Sequence, residues 1–237
     1  MIRVRELVKA FGPRRALSGI DLDIATGERV MLVGPNGAGK TTFLRILATL
    51  SRPTSGEVVI DGYNVATSGA EVRKAIGYLS HETLLYEDLT AVQNLRFYAR
   101  MYGLVDAMAR IETLVAKVGL SDRRDDLVRT YSRGMRQRLA VARAVLHRPT
   151  VLLLDEPYTS LDASASEMLT QLLGGLVEEG CTMVLTTHRP ADEGQLANRR
   201  VTLEGGRIVE DVGVGDGTPE AGVQGWAGIG AGDPSLS

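Results

Sequence analysis

Short stretches that alternate apolar and polar side chains run through the first third of the chain. Residues 2–7 and 20–24 show the two-residue period of half-buried strands. Residues 29–33 are nearly all apolar and lead directly into a glycine-rich turn, which predicts a fully buried strand. Residues 58–60 precede an Asp-Gly pair, and this pattern predicts a strand that ends in a tight turn.

The middle of the chain changes to a helical period. Between residues 89 and 118, apolar side chains recur three and four positions apart, and this spacing predicts helices. The first set is Leu95, Tyr98, Ala99 and Tyr102, and the second is Ile111, Leu114, Val115 and Val118. We interpret residues 89–133 as a helical subdomain inserted into a core formed by residues 1–88 and 134–210.

Helical and strand patterns alternate after this insertion. Helices are predicted at residues 132–146 and 168–177, and buried strands at 151–154 and 182–186. A further helix is predicted at residues 41–50, directly after the glycine-rich turn. Because strands that alternate with helices form parallel sheets covered on both faces, we expect an α/β fold.

Composition changes this picture mainly at the C-terminus. Residues 211–237 contain eight glycines and two prolines and keep no period, so we expect a flexible glycine-rich tail that includes Trp226. The chain as a whole is 44% hydrophobic, which is enough for a buried core. Its formal net charge of -2 argues against a strongly basic nucleic-acid binder.

The sequence predicts neither a membrane span nor a signal peptide. No apolar run approaches the roughly 20 residues that cross a bilayer, and the N-terminus lacks the apolar core of a signal peptide. A single cysteine excludes an internal disulfide framework. We therefore expect a cytoplasmic protein that forms no pore itself and can sit on a membrane only through a partner.

A phosphate-binding loop is predicted after the buried strand. Residues 34–42 read G-P-N-G-A-G-K-T-T, which fits the pattern of Gly, four residues, Gly-Lys-Ser/Thr. Loop N–H groups and the N-terminal end of the next helix would surround an anion. Lys40 would contact the β- and γ-phosphates, Thr41 would ligate Mg²⁺, and Thr42 would lie near the α-phosphate. The candidate nucleotide-binding residues are Gly34, Pro35, Asn36, Gly37, Ala38, Gly39, Lys40, Thr41 and Thr42.

Two acids follow the apolar strand at residues 151–154. Asp155 would lie at the carboxyl end of a parallel strand, where α/β sheets bind ligands, and is predicted to hold Mg²⁺ through water. Glu156 is the candidate general base for an attacking water, although the two acids alone also fit a solvated turn. His188 follows the next strand and is a candidate partner of the γ-phosphate, whereas a lone histidine there is more often a surface residue.

The motifs match a known family in order as well as in content. The phosphate loop, Y-S-R-G-M-R-Q-R at 131–138, L-L-L-D-E-P at 152–157, T-S-L-D at 159–162 and T-H at 187–188 resemble the nucleotide-binding subunit of ABC transporters. The resemblance covers residues 2–210. It implies a P-loop NTPase fold, with a RecA-like parallel-sheet core, an N-terminal antiparallel β part and a helical subdomain, and it implies ATP and Mg²⁺ as cofactors.

The resemblance also implies a head-to-tail dimer with two ATP molecules at its interface. Ser132 and Gly134 would contact the γ-phosphate bound by the other subunit, and Asp162 would link the two sites. Phe11 matches the aromatic residue that stacks on adenine, whereas without the family a core aromatic at a strand end would be preferred.

Three positions depart from the usual pattern of the family. The common signature LSGGQ reads Y-S-R-G-M here, so Arg133 replaces a glycine and Met135 a glutamine. His81 stands where the family usually has a glutamine near Mg²⁺ and the attacking water. A histidine at this position can still donate or accept a hydrogen bond, and its charge would depend on pH near neutrality.

The segment from residue 76 to 103 is most similar to the ATPase subunit of the haem exporter in the cytochrome c maturation system. This similarity implies integral membrane permease subunits as partners, which would handle the haem, and a location on the inner face of the cell membrane. One alternative is the ATPase of a drug, lipid or polysaccharide exporter. Another is a soluble ABC ATPase acting on ribosomes or nucleic acid, suggested by eight arginines between residues 123 and 148. A nucleotide-binding regulator without turnover is the third, and Glu156 argues against it.

Overall fold

The computed structural model describes residues 1–80, 82–159, 161–187 and 196–214. Its strands are β1 (Ile2–Phe11), β2 (Arg14–Ile24), β3 (Arg29–Val33), β4 (Ser55–Ile60), β5 (Tyr63–Asn64), β6 (Ile76–Leu79), β7 (Val151–Asp155), β8 (Thr182–Thr186), β9 (Arg199–Glu204) and β10 (Arg207–Gly213). Its helices are α1 (Lys40–Leu47), α2 (Gly69–Ala75), α3 (Ala91–Met101), α4 (Met108–Lys117), α5 (Arg133–Val145) and α6 (Ala163–Glu178), and 3-10 turns occur at Ser121–Arg123 and Val128–Thr130.

A six-stranded sheet, in the order β10-β9-β3-β8-β7-β6, forms the centre of the fold. Its strands pair in parallel except for β10, which runs antiparallel to β9. Every residue of β3, β7 and β8 is buried, as expected for strands that are covered on both faces. The predicted α/β fold with a parallel core is confirmed.

The alternation of side chains along β3 divides the core into two clusters. Val30 and Leu32 belong to a cluster with α1 and with the second sheet, which is antiparallel and has the order β2-β1-β4-β5. Met31 and Val33 belong to the other cluster, which contains the apolar side chains of α3, α4, α5 and α6. Helix α1 therefore contributes to the core shared by the two sheets, and the predicted N-terminal antiparallel part is confirmed.

Residues 89–133, which are predicted to form a helical insertion, contain α3, α4 and the two 3-10 turns. Thr90 begins α3 with a capping box, in which its hydroxyl accepts from the N–H of Gln93 and its own N–H bonds the Gln93 side chain. The apolar residues of α3 and α4 share one buried cluster with a face of the central sheet. Helices α3 and α4 are therefore packed onto the central sheet.

Several element boundaries differ from the predicted ones. The helix predicted at 41–50 ends at Leu47, and Thr49 has a left-handed φ of 60°. The helix predicted at 168–177 begins earlier, at Ala163, because the Asp162 carboxylate caps it. The strands β1, β2 and β4 are longer than predicted, and α2, β6, β9 and β10 carried no sequence prediction.

The boundary predicted for the tail, at residue 211, is too early. Strand β10 continues to Gly213 along β9, and the Val214 N–H donates to the Asn198 carbonyl (2.9 Å). Arg199 holds Asp211 with two hydrogen bonds, one to each carboxylate oxygen, both of 2.7 Å. The rest of the predicted tail, with Trp226, lies outside the described residues.

Replacing Asp211 with asparagine should lower the free energy of unfolding by about 1 kcal/mol near neutral pH, since this bidentate pair is partly exposed. The hydrogen bond from Arg199 lowers the pKa of Asp211, so its contribution is present above the ordinary pKa of 3.8 and is lost as pH falls through the folded value. Urea unfolding at pH 7 and at pH 3 measures this difference. A destabilisation of equal size at both pH values would contradict the role of the ion pair.

Candidate active site

The loop between β3 and α1 needs glycine at two positions. Gly34 has a φ of 144°, and an ideal Cβ there would lie 2.1 Å from the Leu203 carbonyl oxygen. Gly39 has a φ of 110°, and its Cβ would lie 2.6 Å from the Ala16 carbonyl oxygen. Side chains are excluded at both positions because these neighbours are backbone atoms. The loop is thus packed against β2 and β9 while its outer side faces a cleft.

Lys40 is the first residue of α1, and only 6% of its surface is exposed. Its ammonium group donates to the carbonyl oxygens of Gly34 (2.6 Å) and Pro35 (3.2 Å). Burial lowers the pKa of Lys40, and the nearby acids Glu156 and Asp155 act in the opposite direction. The lysine is therefore held across the loop with two carboxylates beside it.

Asp155 ends β7 and is 3% exposed. One of its carboxylate oxygens, Oδ1, accepts hydrogen bonds from the hydroxyls of Thr41 (3.2 Å) and Thr186 (2.7 Å). Two predicted Mg²⁺ ligands, Thr41 and Asp155, are thus in contact although they are 114 residues apart. The sequence pattern did not identify Thr186 as a site residue, because a threonine at the end of an apolar strand carries no signal of its own.

Glu156 has a φ of 53°, a conformation that costs a residue with a side chain about 1 kcal/mol or more. Its N–H donates to the hydroxyl (3.0 Å) and the carbonyl (3.2 Å) of Thr186. Its carboxylate accepts from the Thr159 hydroxyl (3.3 Å). The hydroxyl of Thr186 therefore binds both the Asp155 carboxylate and the Glu156 backbone, and it supports the strained position of Glu156.

Replacing Thr186 with valine removes this hydroxyl while keeping the shape of the side chain. We expect the turnover number to fall by about five- to tenfold, since one hydrogen bond to the charged Asp155 and one to Glu156 are lost. Thr186→Ser should restore most of the activity. Thr182→Val is the matched control, because Thr182 is a buried threonine at the opposite end of β8. Steady-state phosphate release measures the turnover number of all three variants. An equal fall in turnover in Thr186→Val and Thr182→Val would contradict the role of the Thr186 hydroxyl.

A cleft of about 390 Å³ brings most of the predicted residues together. Glu156 lines one side, and the loop and its helix line another through Asn36, Gly37, Ala38, Gly39, Lys40, Thr41 and Thr42. Phe11 also lines the cleft and is 55% exposed, so the alternative of a core aromatic is wrong. Arg14 and Ala16 of β2 complete the lining. The sequence pattern did not identify Arg14 as a site residue.

The predicted signature residues lie at a different place. Ser132 caps α5 by accepting a hydrogen bond from the Met135 N–H (3.2 Å), and Gly134 is in the first turn of this helix. The neighbouring Arg133 lines a second cavity of about 630 Å³, which also contains Glu156 and Thr159. None of these signature residues lines the cleft around the phosphate loop. The Asp162 carboxylate accepts from the Ala165 N–H (2.8 Å) and caps α6.

The buried Gln137 connects the signature helix to the strand that carries the acids. Its side-chain amide donates to the Pro157 carbonyl (3.3 Å), directly after Glu156. This residue also lacked a sequence signal, because the contact joins two distant segments. The predicted site residues His81 and His188 lie outside the described residues.

The side-chain oxygens near the phosphate loop could ligate a magnesium ion that also binds the phosphates of a nucleotide. Asp155 and Thr41 offer the hard oxygen ligands that Mg²⁺ prefers. Within the described ranges, no group of three or more His, Cys, Asp or Glu side chains is placed to hold a metal. This donor set matches Mg²⁺, which is usually bound by one or two protein oxygens, substrate phosphates and water.

These features define a P-loop nucleotide-binding protein, and comparison with known proteins gives its family. Residues 17–159 match the ABC transporter family. The chain is 37% identical over 198 residues to the ABC transporter ATP-binding protein NatA of Bacillus subtilis (strain 168), covering 82% of this chain and 80% of NatA. It is also 37% identical over 212 residues to the daunorubicin/doxorubicin resistance ATP-binding protein DrrA of Streptomyces peucetius, covering 89% of this chain and 64% of DrrA.

A solved structure shares the fold over nearly the whole cassette. It is the dimeric post-hydrolysis state of the ATP-binding cassette MJ0796 bound to ADP and Pi, with a TM-score of 0.81 and 28% identity, covering 90% of this chain and 98% of that one. The chain belongs to the ABC transporter family and is an ATP-binding, ATP-hydrolysing subunit of such a transporter. None of the helices in the described residues is long and apolar enough to cross a membrane.

Proposed function

We propose that the chain is the motor subunit of an ABC exporter and hydrolyses ATP in the 390 Å³ cleft. The observation that supports this most directly is the convergence of Lys40, Thr41 and Glu156 on one cleft, with Asp155 bonded to Thr41. The loop N–H groups and α1 bind the phosphates, and Phe11 stacks on the adenine. Pro35 and Gly34 shape the loop by accepting from Lys40.

Hydrolysis requires a base beside the γ-phosphate. Glu156 lies at the edge of the cleft and takes the proton from the attacking water, while Lys40 stabilises the negative charge that is left on the phosphates. Thr41 and Asp155 would hold Mg²⁺, which neutralises phosphate charge when it is bound. His188 and His81 remain proposed contributors at the γ-phosphate and at the attacking water.

We propose that two copies of the chain close head to tail on two ATP molecules. The position of the signature helix supports this, since Ser132 and Gly134 lie away from the cleft of their own chain. In the dimer the Ser132 hydroxyl and the Gly134 N–H contact the γ-phosphate of the other copy, and the positive end of the α5 dipole adds to this contact. Asp162 lies in the turn that links the two sites.

An exposed apolar surface formed by Leu84 and Tyr86, directly before α3, supports a membrane partner. Leu84 and Tyr86 are 42% and 48% exposed, which is high for large apolar side chains. The Tyr86 ring packs edge-on against Phe97 of α3, with ring centroids 4.8 Å apart. We propose that this surface, directly after residue 81, receives an apolar segment of an integral permease subunit on the inner face of the membrane.

Two different similarities support two different cargoes. The segment from residue 76 to 103 supports haem export or cytochrome c biogenesis, in which the partners bind the haem. The similarity to a daunorubicin/doxorubicin resistance ATP-binding protein supports the alternative of a drug exporter. We favour haem export as the specific proposal, because the similarity lies in the segment that would meet the permease.

Purification of the tagged chain from its native membranes tests this proposal. The wild-type chain and Val209→Glu, which alters an exposed apolar residue on β10, should retain a polytopic membrane protein, whereas Tyr86→Glu should lose it. A partner unrelated to haem would contradict haem export and leave the ATPase proposal intact. Recovery of ribosomes or RNA in place of a membrane protein would favour the soluble alternative.

A further inference from the structure

The turn between β1 and β2 places an aromatic ring and a guanidinium side by side. Phe11 ends β1, Arg14 begins β2, and the two residues are direct partners in the antiparallel register. Directly paired residues project from the same face of a sheet. Arg15 follows on β2, pairs with Ala10 and projects from the other face. The hairpin therefore presents Phe11 and Arg14 together to the cleft, and not Arg15.

Arg14 extends as far as the phosphate loop. An ideal Cβ at Gly37 would lie only 3.3 Å from the Arg14 Nη2 atom. Both residues line the cleft that also contains Lys40 and Thr42. The guanidinium thus lies over the middle of the loop, where backbone N–H groups surround the phosphates of a nucleotide.

Within the described part of the chain, the Arg14 guanidinium has no carboxylate partner. Arg199 is held by carboxylates of Glu28 and Asp211, whereas no ion pair or hydrogen bond within the described ranges engages the Arg14 guanidinium. The side chain is exposed and free to meet a ligand. An arginine fork matches phosphate oxygens with two parallel hydrogen bonds.

We propose that Arg14 is a second cationic ligand of the nucleotide, which binds the polyphosphate chain from the side opposite the Lys40 helix. This inference rests on the proposed function and adds a contact to it. Phe11 and Arg14 then bind different parts of the nucleotide, since the ring stacks on the base and the guanidinium binds the phosphates. The β1–β2 hairpin recognises both ends of the same ligand.

Equilibrium binding of ATP and of ADP to Arg14→Ala, Arg14→Lys and Arg15→Ala tests the proposal. We expect Arg14→Ala to raise the Kd for ATP about tenfold and the Kd for ADP by less, since a charge-assisted hydrogen bond is lost and ADP carries less charge. Arg14→Lys should recover part of the affinity. The Kd of Arg15→Ala for both nucleotides should stay within about twofold of wild type, because this change removes an equal charge from the face away from the cleft.

The salt dependence separates a phosphate contact from stacking on the base. A phosphate contact predicts that ATP affinity falls less steeply with added NaCl in Arg14→Ala than in wild type. A Kd for ATP within twofold of wild type in Arg14→Ala, or an equal loss in Arg15→Ala, would overturn the assignment of Arg14. Equal losses for ATP and ADP with an unchanged salt dependence would also overturn it. Failure of the wild-type chain to bind ATP would instead contradict the proposed function.

Discussion

Replacing Lys40 with alanine is expected to weaken ATP binding at least about a hundredfold, because the change removes a buried positive charge at the phosphates. Lys40 is only 6% exposed, so water can replace its charge only in part. The same change frees the carbonyls of Gly34 and Pro35, which accept its hydrogen bonds. Isothermal titration with ATP measures the effect directly.

The matched control for this change is Lys74→Ala. Lys74 is exposed, pairs with Glu71 on α2 and lies outside the cleft. We expect its ATP affinity to equal that of the wild type. Thermal unfolding of both variants shows whether the loop still folds. An intact affinity in a folded Lys40→Ala protein would contradict the phosphate-loop assignment.

Replacing Glu156 with glutamine is expected to lower the turnover number about a thousandfold and to leave ATP affinity within a few fold of wild type. The glutamine keeps the shape of the side chain, and the N–H that bonds Thr186 is unchanged. Only the basic oxygen is lost, so the site binds ATP and does not cleave it. Single-turnover hydrolysis, together with a binding titration, separates the two effects.

Glu167→Gln makes the same chemical change on the exposed side of α6. We expect this control to hydrolyse ATP at the wild-type rate. If Glu156→Gln retained more than a tenth of the wild-type turnover, Glu156 would not be the base. A different group would then have to accept the proton.

The features that sequence predicted well are those that local geometry determines. The loop at 34–42 was recognised because its glycines, its lysine and the flanking strand and helix are contiguous in the chain. The apolar runs at residues 30–33 of β3 and 151–154 of β7 likewise identified central strands of the sheet. These elements depend on the order of residues within a short segment.

The features that sequence missed depend on contacts between distant segments. Thr186 supports both Asp155 and Glu156, and it does so from the neighbouring strand of the sheet. The end of the fold was placed too early because residues 211–213 look like the glycine-rich tail by composition, whereas β9 and Arg199 hold them in a strand. Neither contact leaves a periodic pattern in the sequence.

The exposure of Phe11 also required the structure. A phenylalanine at the end of a strand is usually part of a core, and only its 55% exposure beside the phosphate loop excludes that alternative. The same hairpin supplies Arg14, which had no motif around it. Both residues line the cleft from the β1–β2 hairpin, far in sequence from Glu156.

The central claim is that two copies of this chain bind ATP between the phosphate loop of one and the Ser132 helix of the other. Light scattering of the Glu156→Gln protein tests it most directly, since this variant holds ATP without cleaving it. We expect a mass of 25.5 kDa without nucleotide and twice that mass with Mg²⁺ and ATP. Adding Ser132→Arg should return the mass to that of one chain. A Glu156→Gln protein that binds ATP and remains a single chain at saturating ATP would contradict the account.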